Sequence, residues 1–258
     1  MSFNQMTADQ LSLEEAAALC AEAGIRWFGP WRHKVAEVGA QEARRILDGH
    51  GLGVSSLCRG GFFLAADEAD DNRRAVEEAA TLGTDVLVLV CGPPEGADVD
   101  GARARIEAGI ERLLPHAAAH GVRLGIEPLH PMMISERSAV VTLGEALDIA
   151  ERIGSGDVGV IVDAYHVWWD PRLYEEIARA GRRILGYHVA DWLVPTTDRL
   201  QGRGMMGEGV IELKRIRAAV EAAGYDGPIE VEVINREAWK RPGAELVAAA
   251  RDAFAAAA

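Results

Sequence analysis

Gly159-Val-Ile-Val-Asp163-Ala-Tyr-His166-Val-Trp168-Trp169 is a β-branched run that ends in an aspartate and then turns polar and aromatic. A continuous apolar run this short reads as a strand buried on both faces, as in a parallel sheet. Three other runs have the same form. Upstream lies Val122-Arg-Leu-Gly-Ile-Glu127-Pro-Leu-His130-Pro; downstream lie Gly186-Tyr-His188-Val-Ala-Asp191 and Ile229-Glu230-Val-Glu232-Val. Each carries an ionisable group at or near its C-terminal end.

Across the chain, short β-branched runs alternate with Ala-rich amphipathic stretches, the pattern of repeated βα units. Strands are expected near Phe3–Met6, Ile25–Phe28, Gly53–Leu57, Val86–Val90, Val122–Glu127, Gly159–Asp163, Ile184–Val189 and Ile229–Val233. Helices are expected near Leu13–Ala23, Val35–His50, Asp67–Leu82, Gly101–His120, Leu143–Ile153, Pro171–Ala180, Ile211–Ala223 and Gly243–Ala257. Gly24, Gly51, Gly83, Gly121, Gly154, Gly181 and Gly224 follow seven of the helices, where a left-handed residue closes the last turn. An open doubly wound sheet would carry similar local signals. The count of eight units favours an α/β fold of the (β/α)8 TIM-barrel type, one domain over residues 1–258.

The 258 residues are 49% hydrophobic and 26% charged, an ordinary globular composition. A formal charge of −13 disfavours nucleic acid, which rewards clusters of Lys and Arg. Cys20, Cys58 and Cys91 are odd in number and contain no CxxC pair, which argues against a disulfide framework or a thiolate zinc site and fits a reducing cytoplasm. Cys58 and Cys91 are expected as core residues. The first basic residue is Arg26 and no apolar run approaches bilayer length, so neither export nor a membrane partner is expected. The sequence leaves room for a homo-oligomer.

In a barrel of this type, reactive groups sit at the C-terminal strand ends. Glu127, Asp163, His188 and Glu232 terminate four successive strands at that rim. Singly, each reads equally well as a cap or a surface ion-pair partner. Jointly, three carboxylates and an imidazole at one spot would repel and resist burial unless a cation joined them. Oxygen-rich ligation with one His favours Mn2+ or Mg2+, with Co2+ or Zn2+ as alternatives, and leaves coordination positions for substrate oxygens.

His166 can reach a substrate oxygen from just above Asp163, or be an exposed loop histidine. Trp168 and Trp169 suit packing on a sugar face, or cap the barrel. Glu230 shares the inward parity of Glu232 one layer deeper, where a buried ion pair with Arg123 is the plain alternative to metal ligation. His33, His50, His116 and His120 need no role beyond solvated helix positions. The connection from Ala190 to Gly209 is long enough to be a lid, and its Arg199 and Arg203 can grip a hydroxyl or phosphate or remain solvated.

With these residues in place, the sequence resembles the xylose isomerase-like TIM-barrel superfamily, in particular sugar phosphate isomerases/epimerases and ketose 3-epimerases. The likeness spans nearly the whole chain. It rests on Ile-Glu127-Pro-Leu-His130, Asp163-Ala-Tyr-His166, Tyr-His188-Val-Ala-Asp191 and Gly227-Pro-Ile-Glu-Val-Glu232. The resemblance implies that Glu127, Asp163, His188 and Glu232 bind one divalent metal and that His166 touches a small sugar or sugar derivative. It also implies that Glu127 and Glu232 exchange the proton beside the substrate carbonyl, with the metal stabilising an enediolate. His130 and Met133 depart from the polar residues of the 3-epimerase pattern, which puts His130 at the substrate with an altered preference. The basic residue after His188 is displaced.

Three other activities are compatible with the barrel. A lyase, dehydratase or hydratase of keto-sugars or inosols would begin with the same proton removal. An abasic-site endonuclease would need further histidines where Cys58 and Cys91 stand. A non-catalytic sugar-binding barrel would retain no metal.

Overall fold

A computed structural model describes residues 1–66 and 68–258; the Asp67 at which the third helix was expected to start lies outside the described residues. Its parallel strands are β1 (Ser2–Asn4), β2 (Trp27–Gly29), β3 (Gly53–Val54), β4 (Leu57–Gly61), β5 (Val86–Val90), β6 (Arg123–Ile126), β7 (Val158–Asp163) and β8 (Ile184–Val189). Two residue pairs, β9 (Asp191–Trp192) and β10 (Arg203–Gly204), form a small antiparallel ribbon, and β11 (Ile229–Val231) returns to the main sheet. The main sheet runs β3-β2-β1-β11-β8-β7-β6-β5-β4. Nine strands make eight staves, because β3 and β4 are halves of the third: β3 pairs with β2 and β4 with β5. A parallel bridge between Trp31 and Cys58 brings the two ends of the order together, giving a nearly closed TIM barrel.

The surrounding helices are α1 (Leu13–Glu22), α2 (Arg32–Val38), α3 (Ala40–Gly49), α4 (Glu68–Leu82), α5 (Val99–Ala119), α6 (Leu143–Ile153), α7 (Ala164–Val167), α8 (Leu173–Ala180), α9 (Leu213–Ala222) and α10 (Gly243–Ala257). The single helix expected over Val35–His50 is two, divided at Gly39, whose φ of 86° no helix accommodates. The short α7 was not expected. Asp163 starts it by accepting the Tyr165 N–H, so the strand-ending aspartate is also a helix cap.

The staves are filled from below. Val86, Val88, Ile161, Leu185 and Cys58 form a separate apolar layer inside the barrel. Gly125 and Gly186 give Ile161 its room, since a Cβ on either would stand 2.6 and 2.9 Å from its Cδ1. The larger core lies between sheet and helices and includes Cys20 and Cys91. Above this layer buried polar groups collect, Glu127, Asp163, His166, His188 and Glu232 among them. Among the described residues, no helix is long and apolar enough to cross a membrane.

Candidate metal centre

Glu127 follows β6 directly and keeps its ladder, its N–H donating to Leu89 O at 3.1 Å. Asp163 closes β7, and His188 sits opposite it in the register of β8. Glu232 follows β11 in the same way as Glu127, with its N–H 3.0 Å from Val189 O. Four neighbouring staves thus deliver four side chains to one level. A carboxylate oxygen from each of Glu127, Asp163 and Glu232 and a ring nitrogen of His188 lie within 4.8 Å of one another, all buried.

Glu230 lies one layer down, opposite His188 in register, and belongs to a different network. Its carboxylate accepts from Asn4 Nδ2 at 2.6 Å, Ser55 Oγ at 2.6 Å and Ser56 Oγ at 3.1 Å. The ion pair anticipated with Arg123 does not form; Arg123 pairs instead with Asp85 at 2.7 Å on the outside of the barrel. Glu230 fits only because residue 29 is glycine, where a Cβ would stand 2.1 Å from Glu230 Oε1. Asn4 links the two layers, since its Nδ2 also reaches Glu232 Oε1 at 3.1 Å and its Oδ1 accepts from Trp31 Nε1 at 2.9 Å.

Arg203, expected in the lid either to grip a hydroxyl or phosphate or to remain solvated, is enclosed, 2% exposed, and lines the cavity at the rim. Its Nη1 donates to Glu232 Oε2 at 2.8 Å and to Asp163 Oδ2 at 3.0 Å. Its Nη2 lies 3.1 Å from His166 Nε2, and its plane rests on the Tyr165 ring, 4.5 Å from the centroid. His166 Nδ1 lies 3.2 Å from the backbone N–H of His130, so both ring nitrogens face a donor and a neutral imidazole accepts from one of the two. Burial, reinforced by Arg203, holds His166 well below the usual imidazole range and so neutral.

Burial pushes the carboxyls of Glu127, Asp163 and Glu232 above the ordinary carboxylate range, against His188 at the first and Arg203 at the other two. Burial works against charge on His188 as well, yet Glu230, Glu127 and Glu232 outweigh it and the imidazole is pushed up to about 10. The cluster is therefore short of positive charge. His188 Nδ1 stands 3.3 Å from Glu127 Oε1 without an aligned hydrogen bond. Glu127 Oε1 and both His188 ring nitrogens are buried and have no hydrogen-bond partner. Ligands at roughly 2.0–2.2 Å from a shared ion are at most about 4.4 Å apart, so this donor set fits a divalent cation after a small contraction.

At the cluster lies a small cavity of about 40 Å³, whose lining includes Glu127, Glu232, His166, Arg203, Arg59 and Arg137. Leu200 of the lid also lines it. His130, Trp168, Trp169 and Arg199 are not among its lining residues. His130 stacks on Trp192 at 4.8 Å and Trp168 packs on the same ring at 5.8 Å. Trp169 donates to His166 O at 2.8 Å. Arg199 faces outward, paired with Glu136 at 2.7 Å beside a separate surface depression. Cys58 and Cys91 are buried, as expected, and burial pushes both thiols up.

Asn4 ends the first strand, which closes two residues before the expected Met6, and Arg59 lies within the second half of a third stave that is broken where one continuous strand was expected. Asp191 was noted only as part of a motif. Buried, it accepts from the N–H groups of Trp192, Gly207, Gly209 and Ile211 at 2.9–3.0 Å, which ties both ends of the lid to one carboxylate.

Barrel and rim together are those of a TIM barrel whose C-terminal strand ends gather a buried group of carboxylates and an imidazole able to hold a cation. The chain belongs to the xylose isomerase-like TIM-barrel family, whose model matches residues 17–256. It is 50% identical to protein SMc04130 of Sinorhizobium meliloti 1021, whose crystal structure superposes with a TM-score of 0.96 over 100% of this chain and 98% of that one. It is 33% identical over 161 residues to a 3-dehydroshikimate dehydratase of Pseudomonas aeruginosa, covering 60% of this chain and 24% of that protein. An inosose isomerase of Bacillus velezensis is 27% identical over 142 residues, covering 53% and 48%. The chain thus spans about a quarter of the dehydratase and about half of the isomerase. By name these curated relatives are enzymes, a dehydratase and an isomerase.

Proposed function

We propose that the chain is a divalent-metal-dependent isomerase or epimerase of a small sugar or sugar derivative, working by proton transfer beside a carbonyl. The observation that carries it is the buried group of three carboxylates and one imidazole within 4.8 Å, with Glu127 Oε1 and the His188 nitrogens unpaired. Held by Glu127, Asp163, His188 and Glu232, a cation such as Mn2+ or Mg2+ would supply Lewis acidity to substrate oxygens.

Glu127 and Glu232 stand on staves separated by β7 and β8, so a substrate between them meets a carboxylate on each side. One removes the proton from the carbon next to the carbonyl and the other returns it from the opposite face. Burial raises both carboxyls, and a cation held between them would act in the opposite direction. Neutral His166 lines the same cavity and would meet a substrate oxygen there. Arg203 adds a fixed positive charge to the same wall. A cavity of about 40 Å³ holds little more than one water, so the segment bearing Leu200 and Arg203 must lift for entry and exclude water on closing.

A dehydratase is the second reading, favoured by the 33% identity to the Pseudomonas dehydratase. The same proton is removed, and a neighbouring hydroxyl then leaves as water. Metal analysis of the purified chain, followed by turnover of candidate keto-sugars in D2O, separates the cases. Deuterium in an isomeric sugar supports the isomerase and enone absorbance supports the dehydratase. Absence of both bound metal and exchange would leave a sugar-binding barrel.

A further inference from the structure

The cavity at the metal cluster carries two arginines with no role so far. Arg59 belongs to β4, at the broken third stave, and Arg137 lies in the connection after β6. Both line the small cavity whose lining also includes Glu127 and Glu232. Neither side chain has an ion-pair or hydrogen-bond partner among the described residues, where Arg32, Arg103, Arg179 and Arg203 each have at least two carboxylates. Arg59 is held with its guanidinium over the Phe62 ring, 4.2 Å from the centroid, and so is oriented without being neutralised.

A guanidinium does not shed its proton in a protein, so two of them at one small cavity, neither with a carboxylate at bonding distance, stay charged with their donors free. Burial and the neighbouring Arg137 both work against the charge on Arg59, in accordance with that geometry. Proteins tolerate such a pair where an anion completes it, since an arginine fork matches the oxygens of a carboxylate or phosphate.

We propose that Arg59 and Arg137 form an anion subsite, and that the substrate is a polyol bearing a carboxylate or phosphate. Its reacting carbon and oxygens lie at the Glu127–Glu232 side and its anionic group lies against the third stave. This deepens the function proposed above and rests on it for the orientation only. The anion subsite itself stands on the two arginines.

A matched set of six-carbon probes tests it: D-glucitol, D-gluconate and D-glucitol 6-phosphate, titrated calorimetrically at about 0.15 M salt, where long-range attraction is screened. The Mn2+-loaded chain is expected to bind at least one anionic probe roughly ten- to a hundredfold more tightly than glucitol, the range of a hydrogen bond to a charged group. Preference for gluconate assigns a carboxylate, and preference for the phosphate ester assigns a phosphate. Arg59→Met and Arg137→Met should each remove the preference while leaving glucitol affinity and Mn2+ stoichiometry as they were. Equal affinity for all three probes, or a preference that survives both substitutions, overturns the subsite. Failure of the metal-centre reading shows separately, as an anion preference in a chain that retains no Mn2+.

Discussion

Arg203 Nη1 lies 2.8 Å from Glu232 Oε2, so a residue of the lid supplies the positive charge beside a carboxylate of the candidate metal centre. The same nitrogen reaches Asp163 at 3.0 Å. Removing one partner of a buried ion pair costs about 3–5 kcal/mol, because the other charge is left without compensation. Arg203→Met is expected to lower the urea midpoint by a corresponding amount without metal. Mn2+ should recover more of that loss in the variant than it adds to the unsubstituted chain. Equal Mn2+ increments in the two chains would show that the guanidinium and the cation do not serve the same carboxylates.

Glu127→Gln and Glu232→Gln keep side-chain shape and remove the ability to take up and return a proton. Each is expected to reduce turnover by about 10²- to 10⁴-fold, the range of a general acid or base, with the circular dichroism spectrum unchanged. Proton exchange of substrate in D2O is the direct readout. Rates near those of the unsubstituted chain in both variants would end the acid–base assignment.

Without metal, the folded-state value of His188 near 10 stands above the unfolded value of about 6.5. A raised histidine stabilises the fold in full below about pH 6.5, and this contribution is lost as the pH rises through about 10. In chelator, urea midpoints should therefore fall across that window, and His188→Gln should flatten the profile. Binding Mn2+ at neutral pH should release a proton as the imidazole becomes a ligand, measurable as a buffer-dependent binding enthalpy.

Asp191 accepts four backbone N–H groups from the two ends of the lid. Asp191→Ala leaves them without an acceptor, at about 1–3 kcal/mol for each that stays buried. Since the lid can open to water instead, the expected result is faster proteolytic cleavage within residues 193–210 with only a modest change in the global melting temperature. Unchanged cleavage would show that the lid is held from elsewhere.

Gly29→Ala places a Cβ 2.1 Å from Glu230 Oε1 and must displace that carboxylate from Asn4, Ser55 and Ser56. A destabilisation of about 1–3 kcal/mol is expected from denaturant titration, as for overpacking in a close-fitted interior.

The barrel and the four rim groups were legible because both are written in local pattern. Val86–Val90 and the stretch from Val158 to Val162 are apolar throughout since both faces of a parallel stave are covered, and period and length survive in a single sequence. Glu127, Asp163 and His188 could be placed at one height because they share the position of a strand end. Glu232 could be preferred over Glu230 by spacing, but not separated from it by charge or residue type.

Those separations were decided in three dimensions. Glu230 is withdrawn from the cluster by Asn4, Ser55 and Ser56, residues 174 to 226 positions away in the chain, and by the missing side chain of Gly29. Arg203 reads in the sequence as a lid residue for a hydroxyl or phosphate or for solvent, and it is buried because the lid folds back over the rim, where two carboxylates accept from it. Periodicity records which face of an element is covered; it does not record what covers it. The sequence by itself determined the eight-unit barrel and its acidic rim, and only the packing of distant segments decided which carboxylates meet, which are held apart, and which arginines are left at the cavity without a carboxylate at bonding distance.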